Sequence, residues 1–187
     1  VKKNEKQRYL NITFSRENEK ENDINVFKGI FLPLFEQTLA EGVFEYINIL
    51  GLSPEDLELM ELFWEEVLHE ISDCIHWISF VGKCIDECVE ILINAKCNIG
   101  TKYHMMVFSL ANNVPAYAIF DNEYYQNKIT ELYKLVGTTN FVKLENLEID
   151  KLKEFIDSVP DIEEKLKRNN LTSLYSKKNR IIAEMYG

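Results

Sequence analysis

The sequence has no long apolar run and no recognisable leader. One of its longest apolar stretches, residues 114–120, ends at Asp121. A helix that crosses a membrane needs about twenty apolar residues, so we expect no integral membrane segment. The chain opens with Val1 followed by Lys-Lys-Asn-Glu-Lys, which is neither a start methionine nor a signal peptide. We therefore expect the C-terminal part of a longer protein whose N-terminal domain is missing.

The cysteines follow no metal-binding pattern, and negative charge outnumbers positive charge. The four cysteines include no CxxC pair, which argues against a zinc site, so we expect reduced core thiols and no metal. The 21 lysines and arginines against 31 aspartates and glutamates give a formal net charge of −10. Such a surface repels phosphate backbones, so nucleic acid is not an expected partner. A local cationic pocket would be a significant feature of this acidic chain.

Strand-like and helix-like segments alternate along the chain. Segments of alternating or continuous apolar, β-rich residues predict six strands, at 9–14, 44–50, 75–80, 96–99, 116–120 and near 141–142. Segments with helical spacing predict helices over about 26–40, 53–71, 85–95, 101–112, 123–136 and 149–186. Strands separated by helices indicate right-handed βαβ units. We therefore predict one α/β domain over residues 1–187, a Rossmann-like parallel sheet flanked by helices.

Ligands of open parallel sheets bind beyond the carboxyl ends of the strands, so the junction after the fourth predicted strand is informative. Gly100 permits a tight turn, and Thr101 is the expected N-cap, which makes Lys102 the first helical residue. A helix N-terminus carries about half a positive charge, so Lys102 and His104 are disfavoured there unless an anion binds. The plain alternative is that Lys102 points into water and His104 packs as a neutral core residue.

A further cation follows in the next predicted helix. Lys128 reaches the same rim if the fourth and fifth strands are neighbours in the sheet. Its plain alternative is an ordinary exposed helix lysine. Asp121 lies at the end of the fifth strand, so its carboxylate also belongs to this edge of the sheet.

The residues around this junction resemble the C-terminal motif of polysaccharide pyruvyl transferases. In that family a basic-x-His step opens a helix of small residues, followed by a Val-Pro strand start, an aromatic-Asp turn and a lysine. The matching residues here are Ile99–His104, Val107–Pro115, Ala118–Asp121, Tyr124, Tyr125 and Lys128. The family usually has arginine where Lys102 stands. Lysine keeps the charge but lacks the bidentate fork of arginine.

The resemblance implies a two-domain fold of the GT-B type, of which this chain is the C-terminal half. It implies transfer of a pyruvyl group from phosphoenolpyruvate to a sugar of a cell-surface polysaccharide, with ketal formation and release of phosphate. The acceptor is a sugar or a lipid-linked saccharide, and no cofactor or metal is required. A cytoplasmic location is expected, at the inner membrane surface where the acceptor is lipid-linked.

The resemblance also implies roles for individual residues. His104 is the expected general acid, and Lys102 and Lys128 are expected to hold phosphate or carboxylate oxygens. The expected substrate-binding residues are Gly100, Thr101, Arg16, Asp121, Glu123 and Tyr124. Surface exposure remains the alternative for Arg16. Turn or capping roles remain the alternative for the last three residues.

Two other functions remain open at this point. The first is a GT-B glycosyltransferase domain that binds a nucleotide-sugar diphosphate, which the predicted anion site supports equally well. The second is a domain that binds a ligand without catalysis. Stabilisation by phosphoenolpyruvate or by a nucleoside diphosphate separates the two catalytic functions.

Overall fold

The computed structural model describes residues 8–14, 25–58, 61 and 72–169. It contains a six-stranded sheet in the order β3-β2-β1-β4-β5-β6, and every neighbouring pair of strands is parallel. The strands are β1 (Tyr9–Thr13), β2 (Tyr46–Gly51), β3 (Ile75–Ser79), β4 (Cys97–Gly100), β5 (Ala116–Phe120) and β6 (Phe141–Lys143). The prediction of a parallel α/β sheet with six strands is confirmed.

Helices connect and cover these strands. The α-helices are α1 (Leu32–Ala40), α2 (Ile85–Ile93), α3 (Tyr103–Ala111), α4 (Glu123–Val136), α5 (Ile149–Asp157) and α6 (Val159–Asn169). A π-helical turn, Phe27–Phe31, precedes α1. Residues 54–58 are helical after Ser53, as the N-cap prediction requires. The remainder of that predicted helix and residues 170–186 lie outside the described residues.

The order of the strands reverses at the centre of the sheet. From β1 the chain moves outward through β2 to β3, and it then returns to β4 beside β1 and continues to β5 and β6. Because parallel crossovers are right-handed, this reversal sends the following helices to the opposite face. Consistent with this, α2 packs against α3, and α3 packs against α4. The sheet therefore has a topological switch point between β1 and β4.

An aromatic cluster fills one face of the sheet beneath the end of β1. Phe27, Phe31 and Phe35 are fully buried, and their spacing of four residues places them on one side of the π-turn and α1. The ring of Phe14 meets that of Phe31 edge to face, with 4.8 Å between centroids. This packing fixes the position of the chain where it leaves β1 at the carboxyl edge of the sheet.

A buried ladder of asparagines crosses the three central strands. Asn48, Asn11 and Asn98 occupy matched positions on β2, β1 and β4, and each is at most 2% exposed. The amide of Asn48 donates to Asn11 (2.9 Å), and the amide of Asn11 donates to Asn98 (2.7 Å). Asn98 in turn donates to the Ser109 hydroxyl of α3 at 2.8 Å. The ladder therefore joins the sheet to the helix whose first turn borders the switch point.

The start of α3 differs from the prediction. Lys102 is the N-cap residue, with an extended backbone (φ −83°, ψ 110°), so the prediction that Thr101 caps the helix is wrong. The reason is tertiary, because the Thr101 amide donates to the Thr13 carbonyl at 3.3 Å and extends the contact between β4 and β1. The helix consequently begins at Tyr103, and His104 is its second residue.

The remaining features are the end of α4, the length of the helices, the metal-ligating side chains and the cysteines. Gly137 ends α4. Its φ of 72° lies in the left-handed region, which glycine commonly adopts directly after the last turn of a helix. Within the described ranges, no helix is long and apolar enough to cross a bilayer. The same part of the chain contains no group of three or more His, Cys, Asp or Glu side chains suited to a metal ion. All four cysteines are free thiols, but only Cys88 and Cys97 are buried, so the expectation of core positions is wrong for the exposed Cys84.

Candidate active site

A cavity of about 520 Å³ opens at the carboxyl edge of the sheet, and we call it the switch-point pocket. Segments that follow β1, β2, β4 and β5 form its walls, together with the first turns of α3 and α4. Its lining residues are Phe14, Val26, Leu52, Ser53, Thr101, Lys102, Tyr103, His104, Ile119, Phe120, Asp121, Tyr124, Tyr125, Lys128 and Leu144. The pocket lies where open α/β sheets bind their ligands, beside the reversal of strand order.

The structure brings most of the predicted site residues into this pocket. Those that line it are Thr101, Lys102, His104, Asp121, Tyr124 and Lys128. The condition set for Lys128 is met, because β4 and β5 are neighbours in the sheet. The catalytic and binding roles of these residues remain predictions.

Two predicted site residues in the described part of the chain do not line the pocket, and a third lies outside that part. Glu123 is exposed at the start of α4 and does not line the pocket. Gly100 is buried within β4, where a Cβ atom would overlap Oγ1 and the carbonyl oxygen of Thr13. Its structural role is therefore the close approach of β4 to β1. Arg16 lies outside the described residues.

Lys102 has a partner that sequence reasoning did not identify. Its Nζ lies 2.9 Å from Oδ1 of Asp56, and the two side chains are 22% and 3% exposed. The alternative in which Lys102 simply points into water is therefore wrong. A lysine at a helix N-terminus is electrostatically unfavourable, and here a carboxylate from the segment after β2 offsets that charge.

Asp56 is held in place by the helix start on which it lies. Its Oδ2 accepts hydrogen bonds from the amides of Leu52 (2.9 Å) and Ser53 (3.0 Å). This is the return bond of a capping box, in which an acid three residues after the N-cap binds the N-cap amide. The motif Ser53-Pro-Glu-Asp56 therefore contained the signal for the position of this carboxylate, but not for its contact with Lys102.

Lys128 lies among aromatic rings on the opposite wall. Its Nζ is 4.2 Å from the ring centroid of Tyr124 and 5.6 Å from that of Tyr103. A hydrogen bond with the Tyr124 side chain is the main cause that raises the pKa of Lys128 above its ordinary value. The side chain therefore remains an ammonium group at neutral pH, and the rings orient it toward the pocket.

His104 lies on the first turn of α3 at the mouth of the pocket. The residue is exposed, and its ring meets that of Tyr103 edge to face, with 5.9 Å between centroids. The alternative in which His104 packs as a buried core residue is therefore wrong. An imidazole in this position is accessible to a ligand that binds at the N-terminus of α3.

Asp121 is positioned by its neighbour in the turn between β5 and α4. Asn122 caps α4, because its Oδ1 accepts a hydrogen bond from the amide of Tyr125 at 3.1 Å. Its Nδ2 donates to Oδ1 of Asp121 at 2.8 Å. The capping residue therefore fixes the carboxylate of Asp121 at the wall of the pocket.

Two buried hydroxyls near the pocket are unsatisfied. Within the described residues, Oγ1 of Thr13 and Oγ1 of Thr101 have no hydrogen-bond partner. Buried polar groups are normally paired, and Thr101 lines the pocket. The wall of the pocket therefore contains a buried hydroxyl that, in the described part of the chain, has no hydrogen-bond partner.

Among the described residues, the formal charges around the pocket nearly balance. The ammonium groups of Lys102 and Lys128 face the carboxylates of Asp121, in the wall, and Asp56, next to Lys102. The free amides at the start of α3 add a partial positive charge. The two ammonium groups and the helix N-terminus are therefore the groups that an anionic ligand in the pocket can contact.

Comparison with known proteins identifies solved structures with a similar fold but does not identify a family. No family model and no curated protein matches the chain. Among solved structures, the kitacinnamycin glycosyltransferase is similar with a TM-score of 0.59 and 10% identity, covering 89% of this chain and 39% of its own. The calicheamicin glycosyltransferase CalG4 has a TM-score of 0.53 and 14% identity, covering 97% and 42%.

A third similar structure is the E. coli heptosyltransferase WaaC with ADP. Its TM-score is 0.52 at 13% identity, and the match covers 83% of this chain and 45% of that one. The chain thus spans less than half the length of these glycosyltransferases. Likeness at such low identity carries the fold and not the activity. The chain has the Rossmann-like α/β fold that occurs in GT-B glycosyltransferases.

Proposed function

We propose that the chain is the donor-binding domain of a GT-B-fold glycosyltransferase and holds the diphosphate of a nucleotide sugar in the switch-point pocket. The observation that carries the proposal is the convergence of Lys102, Lys128 and the N-terminus of α3 on one cavity. Helix N-termini with nearby ammonium groups bind phosphate oxygens. In an acidic protein with a formal charge of −10, this local arrangement favours an anionic donor.

The size and the lining of the pocket support a nucleotide. Ligand pockets typically enclose about 300–1,000 Å³, and a cavity of about 520 Å³ is large for a three-carbon acid. Tyr124 and Tyr125 line the pocket with aromatic rings on which a base or a sugar ring can stack. Bound ADP in the heptosyltransferase that shares the fold is consistent with this choice.

In the proposed reaction, an acceptor hydroxyl attacks the anomeric carbon as the bond between that carbon and the diphosphate oxygen breaks, and the hydroxyl proton passes to the departing diphosphate. Negative charge then develops on the departing diphosphate. Lys128, Lys102 and the amides at the start of α3 stabilise this charge. Asp121 accepts hydrogen bonds from hydroxyl groups of the donor sugar. The acceptor, a sugar or a lipid-linked saccharide, contacts the other domain.

Pyruvyl transfer from phosphoenolpyruvate is the second candidate function. The specific observation in its favour is that the charged members of the motif, Lys102, His104 and Lys128, line one pocket. In this reaction His104 protonates the methylene carbon, and a first sugar hydroxyl attacks the adjacent carbon and returns a proton to His104. A second hydroxyl of the same sugar then displaces phosphate to close the ketal, and its proton passes to the phosphate. The contact between Asp56 and Lys102 weighs against it, because Asp56 partly neutralises the lysine. Phosphoenolpyruvate carries more negative charge than the diphosphate of a nucleotide sugar and needs more positive charge in its site.

Ligand binding by the purified chain tests the proposal. UDP, GDP, ADP and phosphoenolpyruvate are compared by thermal shift and calorimetry, with uridine as a control that lacks phosphate. A ligand at about 100 times its Kd stabilises a protein by about 2.7 kcal/mol. We expect one nucleoside diphosphate to raise the melting temperature while uridine and phosphoenolpyruvate do not.

The other outcomes decide between the remaining functions. Stabilisation by phosphoenolpyruvate alone replaces the proposal with pyruvyl transfer. Stabilisation by none of the four phosphorylated ligands contradicts both. Binding of a nucleoside diphosphate without turnover of any nucleotide sugar, even in the presence of an acceptor-binding domain, identifies a non-catalytic binding domain.

A further inference from the structure

The ion pair between Asp56 and Lys102 joins two segments that are distant in sequence. Asp56 belongs to the segment after β2, and Lys102 belongs to the junction between β4 and α3. The carboxylate is 3% exposed, and the lysine side chain is 22% exposed, with 2.9 Å between Nζ and Oδ1. A charge so deeply buried requires a partner in a defined geometry.

The two partners differ in how firmly the backbone holds them. Asp56 has a short side chain, and its Oδ2 is fixed by the amides of Leu52 and Ser53. Lys102 has a long side chain with high rotational entropy, which is lost when its charge is placed at one point. The fixed carboxylate therefore determines the position of the ammonium group, and the reverse does not hold.

Only one of the two partners lines the pocket. Lys102 lines the switch-point pocket, whereas Asp56 does not. A ligand in the pocket therefore meets the ammonium group, while the carboxylate lies behind it. This arrangement orients a cation toward an anionic ligand, and it keeps the repulsive carboxylate out of contact.

We propose that Asp56 is a positioning residue that holds the ammonium group of Lys102 in the wall of the pocket, ready for a phosphate of the donor. This inference rests on the proposed function. A preset cation lowers the entropy lost on binding, so Asp56 strengthens donor binding through Lys102. Asp56 itself does not touch the donor.

A double-mutant cycle with UDP as the probe tests this role. The variants Asp56→Asn, Lys102→Met and the double mutant are compared with the wild-type chain by calorimetry. We expect Asp56→Asn to weaken UDP binding about fivefold and Lys102→Met about tenfold. The double mutant should bind no more weakly than Lys102→Met. The matched control, Asp150→Asn on the exposed first turn of α5, should bind UDP as the wild type does.

Two results would overturn the role of Asp56. Binding by Asp56→Asn that equals or exceeds the wild-type affinity would show that the carboxylate opposes the donor or does not act on it. A double mutant whose loss equals the product of the two single losses would show that Asp56 acts independently of Lys102, as a purely structural capping residue does.

A second variant guards against a folding defect. Asparagine keeps an oxygen for the amides of Leu52 and Ser53, so Asp56→Asn should unfold in one urea transition. If it does not, Asp56→Glu replaces it, because glutamate keeps the charge and displaces it by one methylene. We expect about threefold weaker UDP binding from Asp56→Glu, which should still unfold in one urea transition, and unchanged binding would refute the positioning role.

Failure of the inference and failure of the proposed function give different results. If the wild-type chain binds UDP, GDP or ADP, the nucleotide that binds best becomes the probe, and an additive cycle removes only the role of Asp56. If the wild type binds none of the three, the proposed function fails, and the positioning role fails with it.

Discussion

The central strands carry two polar regions that behave in opposite ways. Halfway along the strands, Asn48, Asn11 and Asn98 form a buried ladder whose amides bond to one another. At the carboxyl edge, the switch-point pocket gathers two lysines and an exposed histidine. The hydroxyls of Thr13 and Thr101 lack partners there within the described residues. In the same part of the chain the ladder leaves one oxygen unpaired, Oδ1 of Asn48. The two regions therefore differ mainly in exposure, since the ladder is buried and the pocket contains an exposed histidine.

The two regions have different roles, since the ladder stabilises the fold and the pocket is the place for a ligand. A buried polar network in which members satisfy one another specifies a single packing arrangement. Polar groups that are brought together but left unsatisfied cost stability, and proteins retain them where a ligand completes them. The ladder accordingly explains why the sheet and α3 keep one geometry, and the pocket is where a ligand is expected.

The largest effect is expected where the two regions meet, at Gly100. A Cβ atom there would overlap Oγ1 and the carbonyl oxygen of Thr13, so Gly100→Ala must separate β4 from β1. Overpacking typically costs up to about 3 kcal/mol, and more against rigid backbone. We expect Gly100→Ala to lower the free energy of unfolding in urea by about 3 kcal/mol or more.

Gly29→Ala is the matched control for this substitution. A Cβ at Gly29 meets no atom within 4 Å, so this change should leave stability unaltered or slightly improved. Equal stability of the two alanine variants would mean that β4 and β1 do not approach each other as closely as described.

A smaller effect is expected from opening the ladder itself. Asn11→Ala removes the partner of the Asn48 amide and of Oδ1 of Asn98. Each buried polar group left unpaired costs about 1–3 kcal/mol, and we expect a loss of about 2 kcal/mol in the free energy of unfolding. Donor affinity should change little, because the ladder lies away from the pocket lining.

The exposed residue Asn127 on α4 supplies the control, and Asn127→Ala should not destabilise the chain. If Asn11→Ala instead preserved stability and abolished nucleotide binding, the assignment of stability to the ladder and of ligand binding to the pocket would be wrong.

The smallest effect is expected from a single charge in the pocket. Lys128→Gln removes the ammonium group that lies 4.2 Å from the Tyr124 ring centroid. A hydrogen bond to a charged group contributes about 1.5 kcal/mol or more, which corresponds to about tenfold weaker binding of the nucleoside diphosphate. Calorimetry measures the affinity, and the melting temperature of the free protein should stay unchanged.

Lys134→Gln, in the last turn of the same helix, removes an exposed charge away from the pocket and should leave the affinity unchanged. Equal losses in the two variants would indicate a general charge effect of α4, and not a phosphate contact of Lys128.

The sequence predicts the elements of this fold well because their signals are local. Alternating apolar residues identify β1, and the Ser53-Pro54 start identifies a helix. The order of the strands required the structure, because it depends on contacts between residues far apart in the chain. The N-cap of α3 was predicted wrongly for the same reason, since the bond from Thr101 to Thr13 crosses the sheet.

The candidate site shows the same division. Lys102, His104 and Lys128 were predicted to meet because parallel strands place their carboxyl ends at one edge. The contact between Lys102 and Asp56 was not predicted, because a helix-start pattern fixes the carboxylate locally but does not reveal what lies opposite it. Glu123, one residue from the capping Asn122, faces away from the pocket because the helical turn directs it to solvent.

A crystal structure of the chain with UDP, or with the nucleoside diphosphate that binds best, tests the central claim most directly. The account predicts diphosphate oxygens within hydrogen-bond distance of the amides at the start of α3 and of Nζ of Lys128, with Asp56 still paired to Lys102. A nucleotide bound away from the carboxyl edge of β1 and β4, with the switch-point pocket empty, would contradict it.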